Sequence, residues 1–215
     1  MLNPRAPVDS EDKRDGSQLA RHLLELLDGV IEDRQAIYIS VPITTGKRFL
    51  EWRRGPGARL APSDEHYSKE HETHVIEPNQ AYVRPLIQSV RNHLRREGRE
   101  GVVIDPTTLQ VSSWTQADYH NFWTTVIARR VSTVVFMNGW EYSSGCVKEF
   151  LAAVRAGAEL LQEDLRPLDL IEGERLVRNA ISALDDEIIP KAPLEEALRE
   201  IHDASDSASH RGEPH

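Results

Sequence analysis

A single cysteine, Cys146, stands in a chain of 215 residues. That excludes a disulfide scaffold and any cysteine-built zinc or iron–sulfur site, and it is what a reducing cytoplasm permits. Long apolar runs are missing too. The longest are short strand-like pieces such as Val131–Met137, so no segment is expected to span a bilayer. Met1–Gly16 lacks both the apolar stretch of a signal peptide and the amphipathic pattern of a transit sequence. The length suits one domain large enough to bury a core. The expectation is a cytoplasmic protein without a membrane partner.

Positive charge is scarce overall, at 26 Lys and Arg against 35 Asp and Glu, a formal charge of -9. This argues against nucleic acid as a partner. The deficit is uneven. Met1–Ala158 balances 20 acidic against 20 basic residues, and Glu159–His215 holds 15 against 6. Global acidity therefore does not exclude a phosphorylated ligand in the first part of the chain.

The ends, 1–16 and 203–215, are polar and short of apolar residues, so both read as disordered tails. Residues 17–202 read as one α/β domain. Ser17–Ile31 carries Leu19, Leu23, Leu26, Leu27 and Val30 at helical spacing. Ala36–Val41 is a buried strand ending at Pro42. Residues 44–78 hold no clear period and many breakers, the pattern of a lid-like insertion. Asn79 could cap a helix over Gln80–Glu97 that Gly98 stops. Strands follow at Gly101–Asp105 and Ser132–Met137, with a weaker one near Glu159–Leu161. Helices are expected at Ala117–Arg130, Ser144–Ala156, Glu172–Ile188 and Pro193–His202.

Strands alternating with helices predict a Rossmann-like (flavodoxin-like) parallel sheet of about four to five strands with helices on both faces. The N-terminal and C-terminal helices are additions to it. Right-handed crossovers put the strand C-termini on one edge, where open α/β sheets bind ligands. Three loops meet there: Pro42–Lys47, Asp105–Trp114 and Asn138–Gly145. In the third, Gly139 and Gly145 bracket a tight strand-to-helix connection, and Ser143 or Ser144 can cap the helix. Backbone N–H groups at such a start favour anions or sugar hydroxyls. Glu149, about one turn in, can face the cleft or stay a solvated helix residue.

Three stretches, AIYISVPITT (36–45), VIDPTTL (103–109) and VVFMNGWEYSSGCVKEFLAAVRAG (134–157), resemble the nucleoside 2-deoxyribosyltransferase-like superfamily. That group carries Y-x-x-x-P-I/M-T on its first strand and G-W-E-x-S-x-G-x-x-x-E further on, and the second motif is the more specific. The resemblance spans Ala36–Gly157. It implies Glu149 as the nucleophilic carboxylate, Tyr38 as its supporting tyrosine, and Ser143, Ser144 and Gly145 as the loop that holds the sugar. Pro42, Thr44, Asp105, Gly139 and Trp140 belong to the same expected substrate site. The implied activity is cleavage of the N-glycosidic bond of a nucleoside or nucleoside 5′-monophosphate, passing the sugar to another base or to water.

A carboxylate can trap the oxocarbenium-like centre left by a departing base, and a second attack then gives net retention. The leaving base needs a proton. Asp105 and Asp118 are the carboxylates available, and Asp118 is taken as the second catalytic group. Either could instead serve locally, Asp105 in a turn and Asp118 at its helix start. The family's two aspartates near the third strand are replaced by Thr125 and Thr133. A degenerate nucleotide-binding module of the same fold is therefore the alternative.

Lys47, Arg48, Arg53, Arg54 and Arg59 form a basic run in the insertion, and Lys47 and Arg48 are candidates for a phosphate. His66, His71 and His74 are interleaved with glutamates, but HETH is not H-E-x-x-H, so no metal is expected. No cofactor is implied. His120 and Trp123 would lie beside the cleft. The apolar face of Ser17–Ile31 points to a homo-oligomer.

Overall fold

The segments AIYIS and VSTVVF, rich in β-branched and aromatic residues, make the two central strands of a parallel sheet. A computed structural model describes residues 10–31, 35–185 and 189–209. Strand β1 is Ala36–Ser40, β2 Val103–Ile104, β3 Val131–Phe136 and β4 Glu159–Gln162. Their order is β2-β1-β3-β4, and every pair is parallel. The fold is thus the doubly wound α/β type, with four strands among the described residues.

Alternation along the strands divides the core in two. Ile37, Ile39 and Val135 meet helix α4 (Glu77–Arg96) through Val83, Leu86 and Val90. Tyr38, Val134 and Phe136 meet α5 (Gln116–Arg130) and α6 (Ser144–Arg155) on the opposite face. Helix α7 (Leu170–Ala183) packs against α8 (Ala192–Ser209), which in turn covers α6. Gly173 of α7 lies where a Cβ would strike the Phe150 ring, so these layers approach closely. Among the described residues no helix is long and apolar enough to cross a membrane.

Several boundaries differ from the sequence expectation. Helix α1 runs Ser10–Val30, so residues 10–16 are helical and only 1–9 lie outside the described residues. The reason is tertiary. Trp114 lies against Gly16 and donates its indole N–H to the Gly16 carbonyl at 3.3 Å. Leu23 and Leu27 of α1 pack on the core, while Leu26 and Val30 are exposed. Helix α8 extends to Ser209, beyond the expected end at His202. Residues 186–188, expected to finish the helix from Glu172, and 210–215 lie outside the described residues.

The insertion is not irregular. It folds as α2 (Gly46–Arg54), a 3-10 turn at Pro56–Arg59, α3 (Tyr67–His71) and a π-turn at Glu72–Ile76 that runs into α4. Phe49, Trp52, Tyr67 and His71 form its own aromatic cluster, with ring centroids 5.2 Å apart for Phe49 and His71 and 5.3 Å for Trp52 and Tyr67. Arg53 lies over two of these rings and donates to the Gly57 and Leu60 carbonyls. These contacts join residues far apart along the segment, which is why no period announced them.

Asn79 is not a helix cap. It sits inside α4, 1% exposed, with its amide donating to the Pro42 carbonyl at 2.6 Å and accepting from Arg48 Nε. A buried amide needs such partners, and here they fix the loop that leaves β1.

Candidate active site

Tyr38 and Ser40 are two residues apart on β1, so their side chains leave the same face of the sheet. Glu149 meets both from α6. The Tyr38 hydroxyl donates to Glu149 Oε1 at 2.8 Å, and the Ser40 hydroxyl donates to Oε2 at 2.6 Å. Glu149 is 7% exposed. A carboxylate this deep is stable only where hydroxyls replace its lost water.

Burial pushes the Glu149 carboxyl up from 4.5 to about 7, against the two hydroxyls, which pull it down. Burial, then the Glu149 charge, raises the Tyr38 phenol well above 10, so it stays a donor. The same two causes raise the Cys146 thiol, which is buried in the core at the edge of the same cavity, so it stays protonated.

The raised Glu149 carboxyl has a consequence for stability. Between pH 4.5 and about 7 the folded chain keeps a proton that the unfolded chain has released. Stability from this group is therefore full below 4.5 and is lost as pH rises through 7. The difference amounts to roughly 3 kcal/mol. Glu149→Gln cannot titrate, so its stability relative to wild type should rise by up to about 3 kcal/mol from pH 5 to pH 8. Urea unfolding of both proteins at the two pH values measures this. Parallel pH curves would show that Glu149 is not buried as described.

A cavity of about 190 Å3 opens beside this trio, at the C-terminal ends of β1 and β3. It lies where the strand order reverses. Tyr38, Glu149, Thr44, Ser143 and Gly145 all line it. Ser143 caps α6, its Oγ accepting from Cys146 N, and also accepts from Thr45 Oγ1 at 2.9 Å. That bond ties the loop after β1 to the loop after β3. Gly139 permits the second loop to turn, with φ of 85° and Lys47 pressed where its Cβ would be.

The remaining expected residues lie elsewhere. Asp118 is exposed and closes a capping box with Thr115 at the start of α5, so it is not a second acid at the cavity. Asp105 accepts from the Thr107 N–H and hydroxyl and shapes the turn after β2. Trp140 is 3% exposed and stacks on Phe150, which makes it core and not a substrate contact. Ser144 faces a different recess, beside Phe49 and Tyr67. Pro42, Lys47 and Arg48 line a polar hollow with Glu51 and Glu163, apart from the cavity. Arg53 and Arg54, further along the basic run, donate instead to backbone carbonyls. Thr125 bonds back to the Asn121 carbonyl and Thr133 to Glu159, and neither lines the cavity.

The histidines of the insertion take separate partners. His71 bonds the Thr44 carbonyl at 2.8 Å, while His66 pairs with Glu65 and His74 with Glu70. His120 and Trp123 do line the cavity, with Trp123 tilted against Tyr38 at 5.6 Å between centroids. Ser40 and the amides of Gln80, Gln110 and Gln116 were not anticipated. Ser40 had a readable signal, its i,i+2 relation to Tyr38. The glutamines had none, because they come from three separate segments.

No family model matches this chain, and neither does any curated protein or solved structure.

Proposed function

We propose that this protein cleaves the N-glycosidic bond of a nucleoside, with Glu149 as nucleophile, transferring the sugar to a second base or to water. The observation that carries this reading is the buried Glu149 carboxylate, held at both oxygens and lining a cavity at the strand ends. Two fixed hydroxyls aim a carboxylate as an attacking group needs. Attack at the anomeric carbon forms a glycosyl ester as the bond to the base breaks. A base or water entering from the vacated side then releases the sugar with its original configuration.

The cavity also speaks to substrate size and charge. At about 190 Å3 it is small for a ligand site and suits a nucleoside better than a dinucleotide. Glutamine amides and threonine hydroxyls offer both donors and acceptors to a base edge and sugar hydroxyls. Lys47 and Arg48 face another hollow, so a nucleoside is favoured over its 5′-monophosphate.

The test is incubation with ribonucleosides, 2′-deoxyribonucleosides and their 5′-monophosphates, following free base by chromatography. Base release from a nucleoside, faster than from its monophosphate, is expected. Thermal stabilisation by a nucleoside without any release would instead identify a binding module that no longer turns its ligand over.

A further inference from the structure

Departure of a nucleobase requires more than a nucleophile. The base nitrogen takes the electron pair of the broken bond and is a poor leaving group until a proton reaches it. Glu149 cannot supply that proton while it attacks. Asp118, the carboxylate that would have served, is occupied at the start of α5.

Two residues further along α5, and so on a different face of the helix, stands His120, which lines the same cavity as Glu149. Its ring lies on Gly145, where a Cβ would come within 2.7 Å of His120 Nε2. Gly145 and Glu149 are four residues apart on α6 and so share a face, with Cβ positions roughly 5–6 Å from one another. The imidazole therefore packs on the turn of α6 that precedes Glu149, and both side chains line the cavity. In retaining glycosidases the nucleophile and the acid stand about 5 Å apart, spanning one glycosidic bond. Only glycine at 145 leaves the ring that place.

We infer that His120 is the group that protonates the leaving base, an assignment that rests on the N-glycosidic activity proposed above. The imidazolium proton passes to the base nitrogen as the bond to the anomeric carbon breaks and the Glu149 ester forms. Neutral His120 then takes a proton from the incoming water or acceptor base as the ester is cleaved. Each cycle leaves both side chains as they began. Gln116, whose amide nitrogen is 3.3 Å from His120 Nε2, also lines the cavity and can donate to that nitrogen in the neutral imidazole. Partial burial and the Lys148 cation lower the basicity of His120, which makes its imidazolium the stronger acid.

Leaving-group dependence separates a proton donor from a merely structural histidine. The probes are the ordinary nucleoside that the wild type cleaves fastest, and 7-methylguanosine, whose cationic base departs without taking up a proton. His120→Asn should lower release from the ordinary nucleoside by about 10²- to 10⁴-fold. In a single turnover, which reads only the step that forms the Glu149 ester and not the later proton transfer to His120, release from 7-methylguanosine should stay within about threefold of wild type, which also shows that the variant is folded. His120→Gln should behave alike. Equal losses on both probes, or no loss on either, would overturn the assignment. So would a wild type that cleaves 7-methylguanosine and no ordinary nucleoside. If the wild type cleaves neither, the proposed activity itself has failed, and this role falls with it.

Discussion

Glu149→Gln is expected to lower base release by roughly 10³-fold or more while the protein remains folded. The amide keeps the shape of the carboxylate and its place beside β1. Tyr38 and Ser40 each donate to one carboxylate oxygen. In the variant one hydroxyl keeps donating, to the amide oxygen, and the other turns to accept from the amide nitrogen, since a hydroxyl can do both. The packing survives and the attacking oxygen is lost. Release of free base over time, measured for both proteins under identical conditions, gives the ratio. Undiminished release by Glu149→Gln would remove this residue as nucleophile and with it the mechanism proposed. The unfolding experiment on the same variant supplies the control, because a folded but inactive protein has lost chemistry and not structure.

Phe150→Ala should be the most damaging single truncation in the core, at about 3–5 kcal/mol. Phe150 is fully buried, stacked on Trp140 at 4.9 Å between centroids and set edge-on to Phe136 at 5.6 Å. Gly173 closes the far side, so no flexible side chain is at hand to fill the space. A chain of this size loses about 2–4 °C of melting temperature per kcal/mol, so a fall of roughly 6–20 °C is expected. Urea unfolding gives the energy directly. A loss below about 1 kcal/mol would mean that α6, α7 and β3 do not meet as described. The site should suffer too, because Phe150 follows Glu149 on α6 and anchors the helix that presents it.

The sheet was legible because its signals are local. Short runs rich in β-branched and aromatic residues at 36–41 and 132–137, with a helical period between them, leave little choice but parallel strands and crossovers. From that order alone the three loops at one edge could be named, and Thr44, Ser143 and Gly145 do line the cavity there. Legibility ended where partners are distant. Asn79 has the residue type of a helix cap, yet it clamps the loop 36 residues before it. The four aromatic side chains of the insertion have no period because they pack on one another and not on the sheet. Lys47 and Arg48 were read by charge, and charge along a sequence does not tell which way a side chain turns.

What the sequence determined by itself is the order of strands and helices and the edge at which they open, since hydrophobic period and turn residues act within a few positions. The family resemblance, by implication only, singled out Tyr38 and Glu149 from two separate stretches of sequence. The tertiary structure alone decided which polar groups share that edge. It joined Ser40 to Glu149 across 109 positions, sent Asp118 to its own helix cap, and set His120 on Gly145. A carboxylate becomes a poised nucleophile only when burial removes its water and named hydroxyls replace it. Burial is a property of the folded whole, and no window of sequence contains it.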